Sequence, residues 1–192
     1  CATDYVSWHN VLEPGIDKVH GVPVRRFPVS RERNERDFGQ RSTQVFDHNH
    51  SLAAELAWLR SEGPTSPKLL RHLRRHGRTY NYCIFFSFRY YHAYHGIRLT
   101  GPRAILVPTA ERDPALGLHI FRDSFCGVRA LMYNSFEERA LIQAISNNDY
   151  VPSVVVGVGS EIQAAPEPAR FRQTTGIEGP VMIYIGRIDK NK

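Results

Sequence analysis

The sequence predicts an α/β fold, a parallel sheet with helices on both faces. Residues 82–88 (Y-C-I-F-F-S-F) and 103–108 (R-A-I-L-V-P) are short, uninterrupted apolar runs. They are too brief for helices and have the composition of strands buried on both sides. A turn-and-helix segment at 89–101 lies between them, and strand, crossover, strand is the repeating unit of a parallel sheet. Residues 130–133 and 153–158 supply two more strands of the same sheet.

The remaining elements follow in order. Residues 1–21 carry Tyr5, Trp8, Asn10, Pro14 and Gly15 without sustained periodicity and read as a long loop. Residues 21–29 (G-V-P-V-R-R-F-P-V) suit a short strand, which Pro23 and Pro28 place near a sheet edge. Residues 30–41 are dense in charge of both signs and are expected to form a mobile loop. A helix over 50–61 puts Leu52, Leu56 and Leu59 on one face and ends at Gly63-Pro64. The helix over 66–76 has Ser66 as N-cap, Pro67 in the first turn and Gly77 as C-cap. Leu69, Leu70 and Leu73 form its apolar stripe, and Lys68, Arg71, Arg74, Arg75 and Arg78 make the rest basic. After 103–108, a T-A-E-R-D-P loop leads into a helix through Ile120 and Phe121. Ser135 and Glu138 form a capping box for a helix reaching Ser146. Gly157-Val158-Gly159 lacks the third glycine of a dinucleotide fingerprint.

Residues 160–180 read as a linker with Pro166, Pro168, Gly176 and a short helix centred on Phe171. Val181, Met182, Ile183, Tyr184 and Ile185 then form an apolar run, expected to be a buried strand. It ends in Gly186-Arg187, with Lys192 five residues on. Ligands of open α/β sheets sit beyond the carboxyl ends of the strands. There a glycine, an arginine fork and a lysine point charge suit a diphosphate. A solvated basic turn has the same composition.

Composition narrows the function classes. The chain has 192 residues, is 42% apolar and carries a net charge of +6, which suits a globular protein with anionic partners. It starts at Cys1 and stops at Lys192, where a helix is expected to begin, so we expect an incomplete domain followed by a stub. No apolar run approaches the length of a membrane span, and no signal peptide is visible. Cys1, Cys83 and Cys126 are widely spaced, as in a reduced, cytosolic protein. No D-x-D pair occurs. The pairs His48/His50, His72/His76 and His92/His95 lack a Cys or acidic partner at a matching spacing, so no metal site is expected.

Several stretches together resemble one enzyme family. They are C-A-T-D-Y-x-x-W-x-N followed by G-V-x-V-R-R-F-P-V, L-V-P-T-A with its acidic loop, and Y-N-S-F-E-E-R-A-L. F-R-x-x-x-G-I (Phe171, Arg172, Gly176, Ile177) and the terminal G-R-x-D-x-x-K complete the set. Their order and spacing resemble the family-four glycosyltransferases, which have the GT-B fold of two Rossmann-like domains facing a cleft. The resemblance implies an incomplete acceptor-binding Rossmann-like domain at 1–160, a linker at 161–179 and the start of a nucleotide-sugar-binding domain at 180–192. It also implies retaining, metal-independent transfer of a hexose from a nucleotide-diphosphate sugar to a lipid-linked or polysaccharide acceptor, with no cofactor. Gly186, Arg187 and Lys192 inherit the donor-diphosphate site.

Where many members have a histidine, this chain has Ala110-Glu111-Arg112-Asp113. Glu111 becomes the candidate catalytic residue, either hydrogen-bonding a sugar hydroxyl or capping the helix after Pro114. Tyr90, Tyr91 and Asp113 are candidates for contact with acceptor or sugar, although aromatics at strand ends also serve as core. The expected location is the cytoplasm, with peripheral contact to the inner face of an anionic membrane through the basic helix at 66–76. The competing readings are a non-catalytic basic module for membrane or nucleic acid, or a degenerate homologue. Nucleic acid is disfavoured because the aromatics lie in apolar runs and are not interleaved with the arginines.

Overall fold

The computed structural model describes residues 4, 6–159 and 167–184. They fall into two compact units, Cys1–Val158 and Gly159–Lys192.

The first unit contains the expected parallel sheet. Strands β3 (Cys83–Phe86), β4 (Ala104–Val107), β5 (Ala130–Tyr133) and β6 (Ser153–Val155) lie side by side in that order, all parallel. Helices α4 (Tyr91–Thr100), α5 (His119–Cys126) and α6 (Phe136–Ser146) are the crossovers. A sheet whose strands follow chain order through right-handed crossovers carries all those helices on one face. Register and burial agree with this. Phe85 and Leu106 share a face, as do Leu131 and Tyr133, and all four belong to the core with Ile97, Phe121, Phe125 and Ile142. On the other face Ile84, Phe86 and Val154 are 52%, 62% and 51% exposed. Helices therefore cover one face of the sheet among the described residues, where two were expected.

Three helices precede the sheet: α1 (Glu35–Asp47), α2 (Leu52–Glu62) and α3 (Pro67–His76). α1 corrects the mobile loop expected at 30–41. Asn34 accepts a hydrogen bond from the Asp37 N–H, Glu35 and Asp37 lie in the first turn, and Asp37 pairs with Arg41 one turn on. Mixed charge at that spacing supports a solvated helix. Trp58 of α2 is the hub of this layer. It is fully buried against Phe38, Phe46 and Phe121, and its indole N–H donates to Ser42.

Other expectations shift locally. Part of the anticipated loop at 1–21 is a strand, β1 (Gly15–Val19), which pairs antiparallel with β2 (Val22–Arg26). The two-residue turn between them, His20-Gly21, has positive φ at both positions, as a tight hairpin requires. Ser66 occupies the N-cap position of α3, but its hydroxyl donates to the Pro28 carbonyl. Half of the capping box forms: the Glu138 N–H donates to the Ser135 hydroxyl, while the Glu138 carboxylate reaches past the helix end.

In the second unit, α7 (Pro168–Thr175) ends at Gly176 in the left-handed conformation, close to the expected Phe171-centred helix. The strand expected from Val181 is absent over residues 181–184, where Met182 is 98% exposed. A strand exists only when a neighbour takes its backbone hydrogen bonds, and these described residues have no pairing strand.

Gly96 is where α4 meets the sheet: a Cβ there would lie 2.2 Å from the Phe85 ring. Replacing a helical glycine by alanine ordinarily stabilises by about 1 kcal/mol. We expect Gly96→Ala to destabilise instead, by about 1–3 kcal/mol through overpacking. Gly39→Ala in α1, which meets nothing within 4 Å, is expected to stabilise by about 0.5–1 kcal/mol. Urea denaturation of the two variants checks the opposite signs.

Candidate functional site

The carboxyl edge of β3 and β4 gathers charged and aromatic side chains from five segments. Beyond β3 the chain stays tied to its neighbour, Ser87 N–H donating to the Val107 carbonyl and Phe88 N–H to that of Pro108. Phe88 is buried between Phe121 and Phe125. This anchor, with Ser87 at φ +64°, fixes where Arg89 and Tyr90 emerge.

Arg89 bridges two acids. Its Nε lies 2.9 Å from Glu62 Oε1, and its Nη1 contacts Asp113. Asp113 turns its other oxygen to the Ala115 N–H at 2.8 Å, capping the short 3₁₀ turn Pro114–Gly117. Glu62, at the end of α2, is also held by Arg33, whose Nη2 is 2.9 Å from Oε2 and 2.8 Å from the Glu62 carbonyl. The Trp8 indole N–H donates to that same carbonyl at 2.6 Å. The Arg33 guanidinium lies 5.0 Å from the Trp8 ring centre and 4.7 Å from that of Phe38. Tyr90 meets Trp8 edge-on at 5.4 Å. Gly63 makes room for this, because a Cβ there would come within 3.0 Å of the indole and its φ is +75°.

The electrostatics are balanced: two guanidiniums against two carboxylates. Burial pushes the Glu62 carboxyl up, and Arg89 and then Arg33 act against that rise. Burial likewise pulls Arg33 down, with Glu62 opposing, although a guanidinium stays charged at neutral pH. Arg89 and Asp113 keep 27% and 20% of their side-chain surface exposed, against 4% for Glu62. The buried end of the cluster, which includes Glu62 and Trp8, is structural, and its more open end holds Arg89, the Asp113 carboxylate and the half-buried Tyr90 ring. Such a set suits a polyhydroxylated ligand, whose apolar face packs on a ring while its hydroxyls bond to charged groups.

Of the residues singled out in the sequence, Asp113 pairs with Arg89, and Tyr90, the next residue in the chain, packs on Trp8. Tyr91 begins α4, packs on His95 at 4.2 Å and faces a separate groove with Arg31, Arg41 and Arg60. Glu111 is exposed and lines a neighbouring cleft of about 530 Å³ with Arg112, Ser135 and Glu137, at the start of α6. That loop is pinned by Glu138, which accepts from the N–H groups of Ala110 and Asn134, each at 2.6 Å. Gly186, Arg187 and Lys192 lie outside the described residues. The apolar stripe of α3 is packed inward: Leu73 is buried and Leu69 lies against the core.

Arg33, Glu62 and Arg89 were not singled out in the sequence, and Trp8 was named there only for its loop and for the C-A-T-D-Y-x-x-W-x-N stretch. The proximity of Glu62 to Gly63-Pro64 marked a helix end, not a charged hub. A cavity of about 870 Å³ lies at the opposite, amino edge of the sheet, lined by Ile105, Val128 and Ala130 among others. Its lining includes no acid or histidine among the described residues. Among the described residues one group has the make-up of a metal site, His50, Glu55 and His119. The expectation that no acid accompanies the histidines is corrected by Glu55.

The chain matches no protein-family model, no curated protein and no solved structure.

His92, in the first turn of α4, stacks beside Tyr90 at 5.8 Å. Burial lowers its pKa from 6.5 to about 4. The unfolded chain therefore takes up this proton first as pH falls. Its stabilising contribution is complete above pH about 6.5 and is lost as pH drops towards about 4. His92 is only half-buried, so we expect a loss of about 1–2 kcal/mol between pH 7 and 5. Chemical denaturation at the two pH values checks it: His92→Asn is expected to flatten the slope relative to the unaltered protein.

Proposed function

We propose that this chain is the acceptor-binding part of a retaining glycosyltransferase of GT-B type. In this reading a hexose passes from a nucleotide-diphosphate sugar to a lipid-linked or polysaccharide acceptor. The observation that carries it is the open end of the cluster at the carboxyl edge of β3 and β4, where Arg89 pairs with Asp113 and is followed in the chain by the half-buried Tyr90. Ligands of parallel α/β sheets bind at that edge, and an aromatic ring near a guanidinium and a carboxylate fits a sugar or another polyol. The order of motifs along the chain and the Rossmann-like arrangement of β3 to β6 support the same reading.

The reaction breaks the bond between the anomeric carbon and the diphosphate oxygen and forms one to an acceptor hydroxyl, which gives up its proton. Negative charge grows on the departing diphosphate. Fixed cations aimed at it stabilise the transition state without a metal, and Arg187 and Lys192 take that role. Glu111 contacts a hydroxyl of the transferred sugar. The basic face of α3, where Lys68, Arg71, Arg74 and Arg75 are exposed, holds the protein against an anionic membrane by charge alone, since its leucines are used inside.

Two substitutions separate the two half-sites. Arg187→Ala is expected to weaken binding of free nucleoside diphosphate and to lower kcat, with a loss of about 2–4 kcal/mol in transition-state stabilisation. Tyr90→Ala is expected to leave that affinity intact and raise the acceptor KM about tenfold. Calorimetric titration with UDP and GDP, and kinetics with a lipid-linked acceptor, make the comparison in an enzyme that carries this chain together with a whole nucleotide-sugar-binding domain. Unchanged nucleoside diphosphate binding in Arg187→Ala counts against the donor site. An unchanged acceptor KM in Tyr90→Ala counts against the acceptor site.

A further inference from the structure

His50, Glu55 and His119 converge from the segment before α2, the first turns of α2 and the start of α5. Glu55 Oε1 lies 2.9 Å from His50 Nε2 and 3.0 Å from His119 Nδ1. One nitrogen from each histidine and one oxygen of Glu55 all lie within 4.8 Å of one another. Glu55 is 0% exposed. Its second oxygen accepts from the Ile120 N–H at 2.9 Å, which fixes the carboxylate on the first turn of α5.

The protons at His50 point to what occupies this site. His50 Nδ1 lies 2.8 Å from the His48 carbonyl. A carbonyl only accepts, so Nδ1 carries the hydrogen. In a neutral imidazole, Nε2 then has a lone pair, and that lone pair faces a carboxylate that is itself an acceptor. Two acceptors 2.9 Å apart need a cation between them or a second proton on the ring. An imidazole whose far N–H is held by a backbone carbonyl while its other nitrogen faces a carboxylate oxygen is the arrangement of a metal ligand with its outer support.

We propose that His50 Nε2, Glu55 Oε1 and His119 Nδ1 bind a zinc ion. Two imidazoles and one carboxylate are a known zinc ligand set, with bonds of about 2.0–2.1 Å to tetrahedral corners about 3.3–3.4 Å apart. The separations of 2.9 and 3.0 Å widen to that edge by a few tenths of an ångström. The carboxylate is fixed, and the His119 side chain is 85% exposed and able to turn. The same exposure leaves the fourth position open to water. The charge also fits, since a dication neutralises a buried carboxylate that has no arginine or lysine paired to it among the described residues.

The test is calorimetric titration of chelator-treated protein with zinc chloride at neutral pH, with thermal denaturation in parallel. One zinc per chain is expected to bind at micromolar Kd or tighter and to raise Tm, because the ion binds only the folded chain. His119→Ala removes an exposed side chain and folds normally. It and His50→Ala are each expected to weaken zinc at least tenfold and abolish the Tm shift. Glu55→Gln, which keeps an oxygen for the Ile120 N–H, is expected to do the same. His76→Ala disrupts the competing pair His72/His76, one turn apart on α3 with rings 4.7 Å from each other, and is expected to change nothing. The proposal is overturned if no zinc binds, which leaves a second proton on His50 as the link. It is overturned equally if zinc binds unchanged in His119→Ala and His50→Ala, or is lost only in His76→Ala.

Discussion

Glu62 is the residue on which the candidate site depends. Its carboxylate is held by Arg33 and Arg89, and its carbonyl takes hydrogen bonds from Arg33 and Trp8. One position at the end of α2 thus joins the N-terminal loop, the approach to α1 and the exit from β3. Arg89 extends the chain of charge to Asp113 beyond β4. A buried ion pair of this kind adds little to net stability compared with apolar packing. Removing one member is costly, because it strands a charge out of water. The network is therefore best understood as a device for position, fixing segments far apart in the chain at one edge of the sheet.

The sheet supplies the platform for that device. β3 and β4 end side by side, and both exits pass through left-handed residues, Ser87 and Thr109. Those turns lift Arg89 and the Ala110–Asp113 stretch out of the strand direction. Glu138 ties the second loop to the exit of β5 by accepting from the Ala110 and Asn134 N–H groups. The core lies on one side only, where α4 to α6 pack on Phe85, Leu106, Leu131 and Tyr133. The candidate site at the carboxyl edge and the packing beneath it are carried by different residues, the first by the segments that follow β3 and β4 and the second by the strands themselves.

What the sequence made legible follows from what local composition encodes. β3 to β6 were readable because a strand buried in a parallel sheet is an apolar run whatever its neighbours are. The Ser135 cap was readable because its bond spans three residues. α1 was misread because a solvated helix and a charged loop have the same composition, and only the Asp37–Arg41 spacing separates them. The hub was invisible for a different reason: its partners Trp8, Arg33 and Arg89 are distant in sequence, and nothing near Glu62 announces them. Tyr90 and Asp113 were anticipated as contact residues, but the arginine that joins Asp113 to Glu62 was not. Glu55 shows the same limit, since its partner His119 arrives from a separate helix. The apolar run beginning at Val181 failed in the opposite way, for a strand needs a pairing neighbour as well as composition.

The central claim is that Glu62 and Arg89 are energetically coupled and so hold the site together. A double-mutant cycle on Glu62→Gln and Arg89→Met, read by urea denaturation, measures that coupling directly. We predict that each single change destabilises the protein and that the double variant is less destabilised than their sum by about 2 kcal/mol or more. Additive effects within about 0.5 kcal/mol would contradict the account. They would mean that the two groups are neighbours at the edge of the sheet without depending on one another.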